Sequence, residues 1–118
     1  MNAYDNSAKL FKALMHPARL EILEILRDGE HCVCHIEAAL GYRQAYISQQ
    51  LSVLREAGIV QDRRDGWNVH YRVTKPQVFA LLDVANAMVG GAQPSAARTR
   101  AMSHCSCPQC TSVETVVA

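Results

Sequence analysis

The chain contains no apolar run approaching the ~20 residues that a helix needs to cross a bilayer, and residues 1–9 are too polar for the apolar core of a signal peptide. A cytoplasmic protein with no membrane partner is expected. Also missing are an internal repeat, a glycine-rich phosphate loop and any Ser/His/Asp or Cys/His arrangement with the context of a nucleophile, so no enzyme is expected. Net charge is scarce as well, at a formal +1. That small sum conceals a division. Residues 43–75 carry six basic groups (Arg43, Arg55, Arg63, Arg64, Arg72, Lys75) against three acidic ones (Glu56, Asp62, Asp65), whereas residues 1–42 carry four basic against six acidic. Positive charge is thus gathered in one stretch, as a local footprint for nucleic acid would be.

Cysteine is not scarce. Five residues form two clusters, Cys32/Cys34 and Cys105/Cys107/Cys110. In a reducing cytoplasm an odd, clustered set points to metal or redox chemistry before structural disulfides. At 118 residues and 49% hydrophobic, the chain suits one small domain with a tail, a size that often gains stability by pairing with a second copy.

Asp5 or Ser7 can cap a first helix whose apolar positions are Leu10, Phe11, Leu14 and Met15, ending before Pro17. Pro17 opens a second, in which Leu20, Ile22, Leu23, Ile25 and Leu26 lie on more than one side, the pattern of a central core helix. Ile36, Ala39 and Leu40 are followed by Gly41, then by Ile47, Leu51, Val53 and Leu54 before Gly58. That reads as a helix, a short turn and a helix. The later helix begins with Arg43, Gln44, Tyr46, Ser48, Gln49 and Gln50, whose guanidinium, amide and hydroxyl groups can meet base edges or phosphates in a major groove.

After Gly58 the pattern predicts a strand over 59–64, an Asp65-Gly66 turn and a strand over 67–73. A hairpin directly after a helix-turn-helix makes a winged helix, so the expected fold is mainly α with a β-hairpin wing. Arg63 and Arg64 then fall near the wing tip, positioned for phosphates or a minor groove. Trp67 is expected to anchor the wing, His70 with Tyr71 to pack there or touch phosphate, and His16 to sit in a loop. Pro76 starts a last helix with Val78, Phe79, Leu81, Leu82, Val84, Ala85 and Met88, stopped by Gly90-Gly91. Its wide apolar surface predicts a two-fold dimer interface shared with the first helix. Residues 92–118 lack an apolar period, which predicts a winged domain over 1–91 and a flexible cysteine-containing tail over 92–118.

Four segments together carry a resemblance: LFKALMHPARLEILEIL, HCVCHI, AYISQQLSVLREAGIV and GWNVHYRV. Over residues 10–89 the chain resembles the ArsR/SmtB family of bacterial metal-responsive winged-helix repressors. The resemblance implies a homodimer on double-stranded operator DNA that lets go when a toxic metal or metalloid binds, with Cys32 and Cys34 as thiolate ligands. Two departures matter. Arsenic sensors with a third cysteine three places after the pair have its counterpart here in Glu37, and the last helix offers Asp83 without a histidine for a zinc or nickel site.

The chemistry of the pair agrees with a soft inducer. Trivalent arsenic or antimony prefers three thiolates, and Cd(II) and Pb(II) also prefer sulfur. Cysteines two apart diverge by about 200° on a regular helix, so they can face one ion only from an extended segment or a frayed first turn. With Glu37 in the way, one of Cys105, Cys107 and Cys110 is the expected third ligand, reached across the tail at modest closure entropy. Mixed Zn(II) ligation with His31 or His35, a thiol-redox or persulfide switch using a tail cysteine, and a structural zinc in the tail are the alternatives.

Overall fold

The computed structural model describes residues 2–90. Cys105, Cys107, Cys110 and the proposed tail over 92–118 lie outside the described residues. Helix α1 (Ala3–Leu14) is capped by Asn2, whose side chain accepts from the Asp5 N–H while the Asp5 carboxylate accepts from the Asn2 N–H. The reciprocal box, not Asp5 or Ser7 alone, therefore starts the chain's helical part. Helix α2 (Pro17–Ile25) is capped by His16, whose Nδ1 accepts from the Ala18 N–H at 3.2 Å. His16 lies in the loop between the two helices, as expected, and also caps the second.

Helix α2 buries Ala18, Ile22, Leu23 and Ile25, and a 3-10 turn over Leu26–Asp28 follows. A short strand β1 (His31–Cys32) leads directly into α3 (Val33–Leu40). Gly41 stops α3 at φ 75°, a left-handed conformation that side chains with a Cβ resist, and α4 (Gln44–Glu56) begins three residues later. Ile22, Leu23, Ile36, Ile47, Leu51, Leu54 and Ile59 are fully enclosed together. This is one core in which α2, α3 and α4 meet.

The wing consists of β2 (Val60–Asp65) and β3 (Asn68–Val73), antiparallel, with Asp65 opposite Asn68. The loop residues are Gly66 and Trp67, with Gly66 at φ 62°, so the turn falls one position later than Asp65-Gly66. Glycine first in a two-residue loop satisfies the hairpin as well as an Asp-Gly pair does. The slip moves Trp67 out of the strand and to the tip, where it is 100% exposed. Among the described residues Trp67 therefore anchors nothing. Strand β3 lies centrally, with β2 on one side and β1 on the other; His31 pairs with Tyr71 and Cys32 with His70. Helix α5 (Gln77–Val89) closes the described chain, burying Val78 and Leu82.

Candidate thiol site and nucleic-acid interface

Cys32 and Cys34 meet where β1 becomes α3. Cys32 has extended backbone (φ −81°, ψ 162°) and caps the helix, its Sγ accepting from the His35 N–H at 3.3 Å. Cys34 is in the first turn. This junction removes the divergence that two such residues have within a regular helix, and the Cα atoms stand 5.4 Å apart with the two sulfurs joined in a disulfide. The helix start also supplies N–H groups and partial positive charge, which favour a thiolate when the pair is reduced.

The surroundings differ for the two sulfurs. Cys32 is wholly enclosed and Cys34 only half-buried. Both cysteines line a cavity of about 180 Å³ whose opposite walls include Gln44 and Ser48 of α4, Trp67 at the wing tip, and Asn68 and Val69 of β3. His31 and His35 stack with ring centroids 4.2 Å apart and planes 10° from parallel. Burial first, and then the neighbouring His31, push the His35 imidazole down to about 4, so it is neutral at pH 7. Among the described residues no group of three His, Cys, Asp or Glu side chains is placed to hold a metal ion. Within that region the chain offers a soft ion two sulfurs.

Helix α4 divides its polar residues between two faces. Gln44, Ala45 and Gln49 are exposed and Ser48 and Ser52 half-exposed, forming one outward stripe with Arg43 at its head. Gln50 belongs to the other face. It is 6% exposed, and its Oε1 accepts from the Arg19 Nε at 2.8 Å while Arg19 Nη1 also donates to the Lys12 and Ala13 carbonyls at the end of α1. Gln50 thus fixes α4 against α1 and α2, and is not a groove-reading residue. Tyr46 is half-buried, with its hydroxyl 3.4 Å from His16 Nε2 and its ring edge-on to Tyr42. It seats the start of α4. Ala45 and Ser52 had no place in the sequence reading; a helical wheel started at Gln44 and Ser48 reaches both.

On the wing, Arg64 is exposed, but Arg63 is committed. Its Nε donates to Glu30 Oε2 at 3.0 Å and its Nη2 to Glu30 Oε1, an arrangement that holds the Glu30 carboxyl below its ordinary range. The pair staples β2 to the residue preceding β1. His70 is 5% exposed, inside the sheet, which settles it as packing and not a phosphate contact. The thiol junction is tied to both the wing and α4: to the wing by the β1–β3 ladder, and to α4 by the Gly41 turn.

A helix-turn-helix with an outward polar stripe, followed at once by a hairpin wing, defines a winged-helix DNA-binding regulator and not an enzyme. Residues 16–62 match the model of the bacterial regulatory protein arsR family. The chain is 44% identical over 81 residues to the biofilm growth-associated repressor of Agrobacterium fabrum, covering 69% of each chain. It is 45% identical over 67 residues to the arsenical resistance operon repressor of Escherichia coli K12, covering 56% of this chain and 57% of that protein. Among solved structures, the homodimeric winged helix-turn-helix domain Mb0332 from Mycobacterium bovis aligns with a TM-score of 0.66 and 32% identity, over 74% of this chain and 81% of that one. The chain belongs to the arsR family of bacterial regulatory proteins, as its sequence segments implied. It is a transcriptional regulator that binds DNA through a winged helix.

Proposed function

We propose that the protein is a homodimeric repressor that leaves its operator when a thiophilic ion, As(III) or Sb(III) before Cd(II) or Pb(II), is captured by Cys32, Cys34 and one of Cys105, Cys107 and Cys110. One observation carries this reading: the two sulfurs converge at the junction of β1 and α3, and that junction is bonded to the wing on one side and leads into α4 on the other. The 45% identity to an arsenical resistance repressor agrees with it. The reduced pair is the ligand form, since a disulfide leaves neither sulfur as a thiolate donor.

Dimerisation is supported by the surface of the first and last helices. Phe11 and Met15 of the α1 end, and Val84, Met88 and Val89 of α5, are all more than half exposed, and Leu14, Leu20, Leu81 and Leu82 line a cavity of about 440 Å³ between them. An apolar patch of this kind is costly in water and is relieved by a second copy. Two α4 helices then present themselves about 34–36 Å apart, to successive major grooves on one side of the duplex. Arg43, Gln44, Ser48 and Gln49, with Arg64 on the wing, are the residues that meet the DNA; Arg63 does so only by leaving Glu30.

Ion capture draws the β1–α3 junction toward a third ligand, and the displacement passes to β3 and α4 together. A coupling of a few kcal/mol, arising because the ion binds the DNA-free form more tightly, is enough to switch occupancy. The test is operator release by arsenite, antimonite, Cd(II) and Pb(II), with a thiol oxidant as control, for the reduced protein and its Cys32→Ser and Cys34→Ser variants. Release by an ion, lost in both variants, is the expected result; equal release by both variants would reject the thiol pair as sensor. The Cys32–Cys34 disulfide favours one second reading, a thiol-redox switch, for which release by the oxidant alone is the signature.

A further inference from the structure

The cavity beside the thiol junction lies between the wing tip and α4. Its walls come from the thiol junction, the outward stripe of α4 and the wing tip, and its volume of about 180 Å³ equals that of roughly six waters at about 30 Å³ each. Gln44, Ser48 and Asn68 bring polar side chains to it. Both bonded cysteines line it, but Cys34 is half-buried whereas Cys32 is wholly buried, its Sγ accepting the His35 N–H at 3.3 Å.

We propose that Cys34 is a site of S-thiolation by a low-molecular-weight thiol, and that the attached group occupies the gap between α4 and the wing and blocks DNA. The incoming thiolate bonds to Cys34 Sγ and the Cys32–Cys34 bond breaks. The electron pair leaves on Cys32 Sγ, which takes up the proton lost by the incoming thiol, so the exchange needs no further oxidant. Both the point of attack and the leaving group are set by position: exchange goes to the accessible sulfur, and departure is easier for the sulfur at the helix start, where the N–H and partial positive charge stabilise a thiolate. The substituent, unlike an ion, acts directly on the contact surface. Gln44 and Ser48 cannot pack against a duplex while a small thiol stands between them and Trp67.

The inference rests on DNA reading by α4 and the wing, and not on any ion. Its test uses the full chain carrying Cys105→Ser, Cys107→Ser and Cys110→Ser, whose own reduced form provides the reference affinity. The disulfide form is treated with L-cysteine, quenched with iodoacetamide in denaturant so that enclosed thiols also react, and mapped by peptide mass. The expected product carries cysteine on Cys34 and the alkyl group on Cys32; adduct on Cys32, or an even division, overturns the proposal. The same chain with Cys32→Ser is then cysteinylated completely with cystine. Its affinity for operator is expected to fall at least tenfold and to return on reduction, and unchanged affinity overturns the steric claim. With Cys34→Ser instead, enclosed Cys32 is expected to resist cystine, and ready modification counts against the proposal. Failure of the reduced reference to bind DNA would instead reject the DNA-reading surface, which separates the two failures.

Discussion

Gln49 and Gln50 are adjacent, chemically identical and expected to do opposite things. Replacing Gln50 by Ala removes the acceptor 2.8 Å from Arg19 Nε and opens space beside an enclosed core. Leaving a buried donor unmet costs about 1–3 kcal/mol, and the lower half of that range applies because Arg19 is half-exposed and its Nη1 keeps the Lys12 and Ala13 carbonyls. For a domain of this size the loss lowers Tm by roughly 4–8 °C per kcal/mol. Gln49→Ala removes an exposed amide, so stability is expected to stay within about 0.5 kcal/mol. Its cost appears on DNA, where a side-chain contact to a base edge contributes about 1–3 kcal/mol, roughly fivefold to hundredfold in Kd. The assays are denaturant unfolding at fixed protein concentration, since a dimer's stability depends on it, and operator binding by anisotropy at fixed salt. Altered base preference in Gln50→Ala with normal stability, or marked destabilisation by Gln49→Ala, would refute the division of α4 into a seat and a reading face.

Three further outcomes are expected. Trp67→Ala, at a fully exposed tip, leaves the unfolding midpoint unchanged but weakens operator binding in the anisotropy titration. Met88→Glu, at a position 81% exposed in the single chain, converts the dimer to monomer by light scattering while helical circular dichroism persists. Gly41→Ala forces an L residue to φ 75° and destabilises by about 1–2 kcal/mol in denaturant unfolding.

Much of the architecture was legible because helical periodicity and terminators coincide in this chain. Pro17 opens a helix, Gly41 and Gly90 end helices at positive φ, and the apolar positions Ile22, Leu23, Ile25, Ile36, Ile47, Leu51 and Leu54 fall into the core. Residue type misled where position ruled. Gln50 shares its face with Ile47 and Leu54, and spacing alone would have placed it inside; its amide suggested otherwise. Trp67 went astray through a one-residue turn slip that Asp65-Gly66 and Gly66-Trp67 both permit. Strand β1 is two residues long, too short to show a period, yet it is what joins the thiols to the wing. The convergence of Cys32 and Cys34 was accessible from the geometry of a frayed helix start, whereas the cavity beyond them needed the wing and α4 in place.

The most direct measurement titrates the reduced protein on labelled operator with arsenite while following sulfur-to-arsenic absorbance in the same cuvette. Absorbance and release are expected to saturate at the same equivalence, and both are expected to vanish in Cys32→Ser and Cys34→Ser. Release that persists in those variants, or full absorbance with the operator still held, would contradict a thiol junction that governs the reading helix and wing.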